Sequence, residues 1–180
     1  MIAITVFPSR TGYQGNMESA IQQNCLQCVE RGDHSFCDLP PEALQDLEVV
    51  KSSTLCPRGT VLFREGSLPR AAFVLCDGRA RITVCSESGR KLTVRIAEAG
   101  EVLGLSACLA GGPYQVSAEL IDSSKVAVVK RKDLLQFLHS HREACLHVVT
   151  LLSQDLHRAY DKVRVVGMGK SRHSHAAGVH

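Results

Sequence analysis

The sequence contains no tryptophan, and only 3 tyrosines and 5 phenylalanines among 180 residues. A core built from it is therefore aliphatic, and it offers no aromatic platform for stacking single-stranded bases. No run of about 18 apolar residues occurs, which excludes a membrane-spanning helix. The apolar stretch at residues 2–7 is too short for a secretion-signal core and lacks a basic lead-in, so a cytoplasmic location is expected. No histidine lies between His34 and His139. The middle of the chain thus has no imidazole for a metal-dependent barrel enzyme. No Ser/His/Asp set, Walker loop or His-Glu-x-x-His motif is present. The chain reads as non-catalytic.

What is present is ordinary for a globular domain: 44% hydrophobic and 22% charged residues, with enough length for one proper core. The net charge of +3 is unevenly placed. Residues 1–129 carry 12 Lys/Arg and 14 Asp/Glu, whereas residues 130–172 carry 9 and 4. The basic C-terminal third permits an anionic partner without identifying one. The sequence has 8 cysteines. Without an export signal they are expected as thiols, ligands or core residues rather than disulfides.

The strongest pattern is a rhythm of glycines. Gly59, Gly66, Gly78, Gly89 and Gly100 fall at intervals of 7, 12, 11 and 11 residues between short alternating segments. Turn residues at this spacing predict an antiparallel sandwich or barrel. Ala80, Ile82 and Val84 alternate with Arg81 and Thr83; Leu92, Val94 and Ile96 alternate with Thr93 and Arg95. A period of two places the aliphatic set on one buried face and the charged set in water. The fold class expected is α+β, mainly β: an antiparallel jelly roll with flanking short helices and a long C-terminal helix.

Residues 1–24 are expected to be a flexible N-terminus. A cysteine-bearing irregular segment follows, and Pro40-Pro41-Glu42 opens a helix whose buried stripe is Ala43, Leu44 and Leu47. The roll is expected to run without interruption from about Thr54 to Lys130, with Cys56, Cys76 and Cys85 in its core. Asp133 is the expected N-cap of a helix reaching Leu138. With the N-terminal cysteine segment, residues 25–141 form one domain. A second helix, residues 142–166, carries Cys145, Val149, Leu152, Leu156, Ala159, Val163 and Val166. Their steps of 4, 3, 4, 3, 4 and 3 make an unbroken heptad seam, which suits a parallel homodimer, with packing against the roll as the alternative. Gly167 is expected to end it, and residues 167–180 form a disordered tail.

Three stretches resemble the sensor half of the Crp/Fnr family of transcription regulators. They are Pro57-Arg58-Gly59-Thr60-Val61-Leu62-Phe63-Arg64-Glu65-Gly66, Ala72-Phe73-Val74-Leu75-Cys76-Asp77-Gly78-Arg79-Ala80-Arg81, and Gly100-Glu101-Val102-Leu103-Gly104. The likeness covers residues 25–166. It implies a cyclic-nucleotide-binding-like roll, a dimerisation helix and DNA reading by a helix-turn-helix domain. Such a module needs about 60 residues, so the chain is expected to be a sensor truncated before its reader. DNA binding is then expected only if a helix-turn-helix is supplied elsewhere.

The resemblance also marks the ligand cassette, residues 104–118, with Gly104, Leu105, Ser106, Val116, Ser117 and Ala118 as candidate ligand-binding residues. Leu105 stands where the family has an acid for the ribose hydroxyl, and Val116 where it has an arginine for the phosphate. Losing a guanidinium removes one of the strongest types of hydrogen bond, so cyclic nucleotide binding is not expected; a loop that only closes the roll and a site for another small ligand are the other readings. Cys25, Cys28 and Cys37 resemble the cysteine cluster of the oxygen-sensing Fnr branch and are candidate ligands for an iron–sulfur cluster or zinc. The fourth family cysteine corresponds to Ala127; His34, Cys108 or a solvent molecule are the candidate substitutes. Redox-active thiols and plain structural cysteines are the other readings. The function expected is the sensor domain of a Crp/Fnr-type regulator, with a stand-alone module acting on a protein partner as the alternative.

Overall fold

The structure, a computed structural model, describes residues 25–28 and 36–169. His34, the N-terminal residues 1–24 and the tail from residue 170 lie outside the described residues. The described residues open with a 3₁₀ turn at Cys25–Gln27, then α1 (Pro41–Val50). Pro41 takes the first helical position, where its missing N–H costs nothing, and Pro40 accepts from the Leu44 N–H at 3.0 Å. Ala43, Leu44 and Leu47 are the residues α1 buries, as its spacing implied.

Eight strands follow: β1 (Lys51–Cys56), β2 (Val61–Phe63), β3 (Ala71–Leu75), β4 (Ala80–Cys85), β5 (Lys91–Ala97), β6 (Val102–Leu103), β7 (Ser117–Leu120) and β8 (Ser124–Lys130). They form two four-stranded antiparallel sheets, ordered β1-β8-β3-β6 and β2-β7-β4-β5. This is the expected jelly roll, entered slightly earlier than Thr54. It is also interrupted: α2 (Leu105–Ala110) sits between β6 and β7. All five rhythm glycines have positive φ, between 78° and 91°.

β3 and β8 are buried on both faces. Leu75 and Val126 point into the roll, among Phe63, Ile82, Tyr114 and Leu120. Ala72, Val74, Ala127 and Val129 point the other way, into a second core with α1 and two C-terminal helices, α3 (Arg131–Ser140) and α4 (Arg142–Gly169). α3 starts earlier than expected. Lys130 is its N-cap, and Asp133 lies inside the first turn, where its carboxylate suits the positive helix end. α4 runs through Gly167 rather than ending there; a single glycine in a helix already paired on both sides costs only about 1 kcal/mol.

β5 is a strand, but its aliphatic set is not buried. Ala97, fully buried, pairs with Ala80 and faces the roll interior, so Arg95, opposite Ile82, faces inward too. Ile96 pairs with exposed Arg81 and is 39% exposed. Leu92 and Val94 are exposed as well, and an irregularity between Ile82 and Thr83 shifts the register beside them. Cys85 is exposed, not core, and Cys76, just beyond β3, is only half-buried; Cys56 is buried as expected.

The hairpin between β3 and β4 shows why its glycine is needed. A Cβ on Gly78, at φ +84°, would stand 2.7 Å from the Cβ of Ser124, a fully buried residue whose hydroxyl donates to the Asp122 carbonyl. Gly78→Ala should therefore cost left-handed strain of about 1–2 kcal/mol plus the clash, roughly 2–4 kcal/mol in all. Gly89→Ala, whose Cβ would meet nothing within 4 Å, should cost about 1–2 kcal/mol. Urea denaturation of the two variants measures the difference.

Candidate functional site: a cavity walled by the roll and the long helix

A cavity of about 260 Å³ opens between the roll, α2 and the second half of α4. Its floor is apolar. Phe63 and Tyr114 stack with ring centroids 4.2 Å apart, and Ile82 and Leu103 complete the surface. Tyr114 is buried and its hydroxyl donates to the Ala71 carbonyl at 2.5 Å; burial pushes its pKa up, so it stays a neutral donor. Gly104, at φ +77°, brings the backbone against that ring: a Cβ there would lie 2.8 Å from Tyr114 Cε1. Only glycine permits both the turn into α2 and this approach.

The cassette residues occupy distinct places. Gly104, Leu105, Ser106 and Val116 all line the cavity, with Leu105 also buried in the helix-side core. Ser117 instead accepts a hydrogen bond from the Glu65 N–H at 2.9 Å, and Ala118 is buried in the roll. Neither belongs to the lining. Where the resemblance calls for a carboxylate and a guanidinium, the wall is two aliphatic side chains.

Charge is found on the opposite wall. Arg95 lines the cavity and pairs with Glu101 at 2.6 Å, both side chains being 25% exposed. Glu101 also accepts the Glu98 N–H at 2.9 Å and faces Arg158 of α4 at 3.8 Å. Lys162 of α4 donates to the Val94 carbonyl of β5. Arg95 escaped the sequence reading because the alternation of β5 assigned it to solvent. Only the cross-strand register reveals that it faces inward.

α4 divides the seven seam positions. Ala144 and Val148 anchor the helix in the helix-side core, and from there the stripe Leu152, Asp155, Arg158, Ala159 and Lys162 faces the cavity. Two seam residues, Leu152 and Ala159, thus belong to the cavity wall. Val149, Leu156, Val163 and Val166 remain 53–70% exposed, and Cys145 is exposed beside them. Packing against the roll, the alternative reading of the heptad, thus holds for Leu152 and Ala159.

The N-terminal cysteines lie on the far side of the helix-side core. Cys25 and Cys37 are buried, while Cys28 is half-buried. Lys51 Nζ donates to Cys25 Sγ at 2.9 Å and pairs with Glu48 at 2.9 Å; Glu48 accepts the Cys25 N–H at 3.0 Å. Interaction with Cys37, helped by Lys51 and opposed by burial, brings the Cys25 thiol down to about 7; the same interaction and burial push Cys37 up. Burial pushes Cys108 up to about 11. Among the described residues, no three His, Cys, Asp or Glu side chains are placed to hold a metal ion. An ammonium group already bonded to Cys25 sulfur would also oppose a cation there.

Residues 54–141 match the family model described as "Cyclic nucleotide-binding domain". The chain is similar to the cyclic AMP receptor protein of Thermus thermophilus, 23% identical over 129 residues, which is 72% of this chain and 60% of that protein. The matches span about half to three-fifths of the length of the curated relatives. Among solved structures, the Thermus thermophilus catabolite activator protein superposes with a TM-score of 0.65 at 22% identity, covering 72% of this chain and 61% of that one. The sensor domain of the transcriptional regulator DNR from Pseudomonas aeruginosa superposes with a TM-score of 0.61 at 22% identity, covering 79% and 93%. The glycine-punctuated roll thus matches the cyclic nucleotide-binding domain model over residues 54–141, and its two sheets have the fold of the sensor part of these regulators.

Proposed function

We propose that this chain is the non-catalytic sensor unit of a cytoplasmic, homodimeric Crp/Fnr-type transcription regulator. A small molecule in the cavity sets the position of α4. One observation carries this reading: α4 presents one stripe to the cavity and an exposed apolar stripe to the outside. A ligand touching Arg158 or Lys162 acts directly on the helix that pairs with its twin. A shift of one helix against another is a common way for such contacts to be transmitted. DNA contact falls, in this reading, to a helix-turn-helix domain beyond the described residues.

The lining selects the ligand class. The side chains of Leu105 and Val116 offer neither the acid nor the guanidinium of the family pattern, so a cyclic nucleotide held in the family's manner would lose both contacts. The apolar floor with Arg95, Arg158 and Lys162 on one wall suits a small apolar molecule bearing a single anionic group.

Two measurements test this. Calorimetric titration of the native chain with cyclic AMP and cyclic GMP should give no micromolar binding. Val116→Arg, which restores a guanidinium at the cavity wall, should tighten binding by about ten-fold or more, the worth of one charged hydrogen bond. Micromolar binding by the native chain would overturn the assignment of ligand class.

Sedimentation tests the coupling. The native chain should sediment as a dimer, and Leu156→Glu combined with Val163→Glu should leave a folded monomer, because both positions are exposed within the protomer. A native chain that stays monomeric at all concentrations would remove the route from cavity to helix pair. It would favour the alternative, a stand-alone module acting on a protein partner.

A further inference from the structure

We propose that Glu101 is a built-in competitor of the cavity's ligand. Its carboxylate occupies the guanidiniums of Arg95 and Arg158 that an incoming anionic group needs, and binding exchanges one carboxylate for the other. This competition rests on the cavity being a site for a small apolar anion, as proposed above, and it assigns the residue that limits how tightly that anion is held.

Glu101 reaches its position through a sharp turn. β5 ends at Ala97, and Gly100, at φ +91°, turns the chain so that the Glu101 N–H donates to the Glu98 carbonyl at 3.2 Å. The Leu75 N–H of β3 donates to the Glu101 carbonyl at 2.9 Å, which fixes this backbone to the sheet. From that base the carboxylate divides its two oxygens. Oε1 accepts the Glu98 N–H at 2.9 Å. Oε2 accepts from Arg95 Nη1 at 2.6 Å and stands 3.8 Å from Arg158 Nη1. Two guanidiniums, one from β5 and one from α4, therefore converge on a single oxygen atom.

The placement of these groups relative to the cavity is what makes Glu101 a competitor. Arg95 and Arg158 belong to the lining, whereas Glu101 does not. The lining carries Arg95, Arg158 and Lys162 against one acid, Asp155, which pairs with Arg158 at 3.5 Å. Lys162 is bonded to the Val94 carbonyl, an acceptor without net charge. A surplus of positive charge beside an apolar floor calls for an anion, and Glu101 supplies one from within the chain. The exchange strands neither partner: Arg158 keeps Asp155, and Glu101, a quarter exposed, has solvent to turn to. An external anion binds only where the guanidiniums have been released, so its apparent affinity falls with the fraction of chains in that state. Because the pair is partly exposed and screened, Glu101 should lower that affinity by about five-fold rather than abolish it.

Titration calorimetry of the full chain tests this with two carboxylate probes, hexanoate and benzoate, beside their neutral amides, hexanamide and benzamide. Glu101→Gln keeps an acceptor for the Glu98 N–H and removes the charge. It should bind both carboxylates about five-fold more tightly than the native chain does, with the amides unchanged. Arg95→Gln should weaken the carboxylates by a similar factor and again leave the amides unchanged, which keeps the test decisive if the Glu101 variant does not fold. Acids and amides shifting together would mark a merely structural role and overturn the proposal. Equal or weaker carboxylate binding by folded Glu101→Gln, or carboxylate affinity unmoved by Arg95→Gln, would overturn the competition while the cavity's ligand class stands. No binding of either carboxylate by the native chain or by Glu101→Gln would overturn both.

Discussion

The structure depends on two strands that are buried on both sides. β3 and β8 lie next to each other, and their alternate side chains supply the roll interior and the helix-side core at once. At about 25 cal/mol per Å² of apolar surface, burial on both faces makes these strands the main source of cohesion. It also places the roll interior and the helix-side core back to back. The cavity lies on one side of this sheet and the Cys25–Lys51 contact on the other.

Electrostatics is arranged differently at the two places. Around the cavity, Glu101 collects Arg95 from β5 and Arg158 from α4, so one carboxylate ties the roll to the long helix. These groups are partly exposed, and solvent screening leaves the ties weak enough to rearrange. Beside Cys25, Lys51 is almost wholly withdrawn from water and has few alternatives to its present partners. The first arrangement suits a contact that a ligand displaces; the second suits one that stays fixed.

Much of the fold was legible because its signals are local. Glycines at positive φ mark turns whatever the chain does elsewhere, and Pro40-Pro41 opens a helix for reasons confined to one turn. Ala43, Leu44 and Leu47 follow from helical spacing alone. Leu105 and Val116 were equally plain as aliphatic substitutes for the acid and arginine of the family pattern. Asp133 was misjudged because a capping residue and a first-turn acid look alike in sequence. The β5 face was misjudged because alternation says which residues share a face, not which face is inward.

The sequence by itself determined the antiparallel roll with helices before and after it, the heptad spacing of α4 and the lack of an acid and an arginine at Leu105 and Val116, since each rests on neighbours along the chain. Tertiary structure alone decided that Arg95 turns inward, that Leu152 and Ala159 close the cavity, and that Lys51 meets Cys25. Those outcomes depend on register across strands and on packing between segments distant in sequence. No local pattern of residues encodes where two such segments will touch.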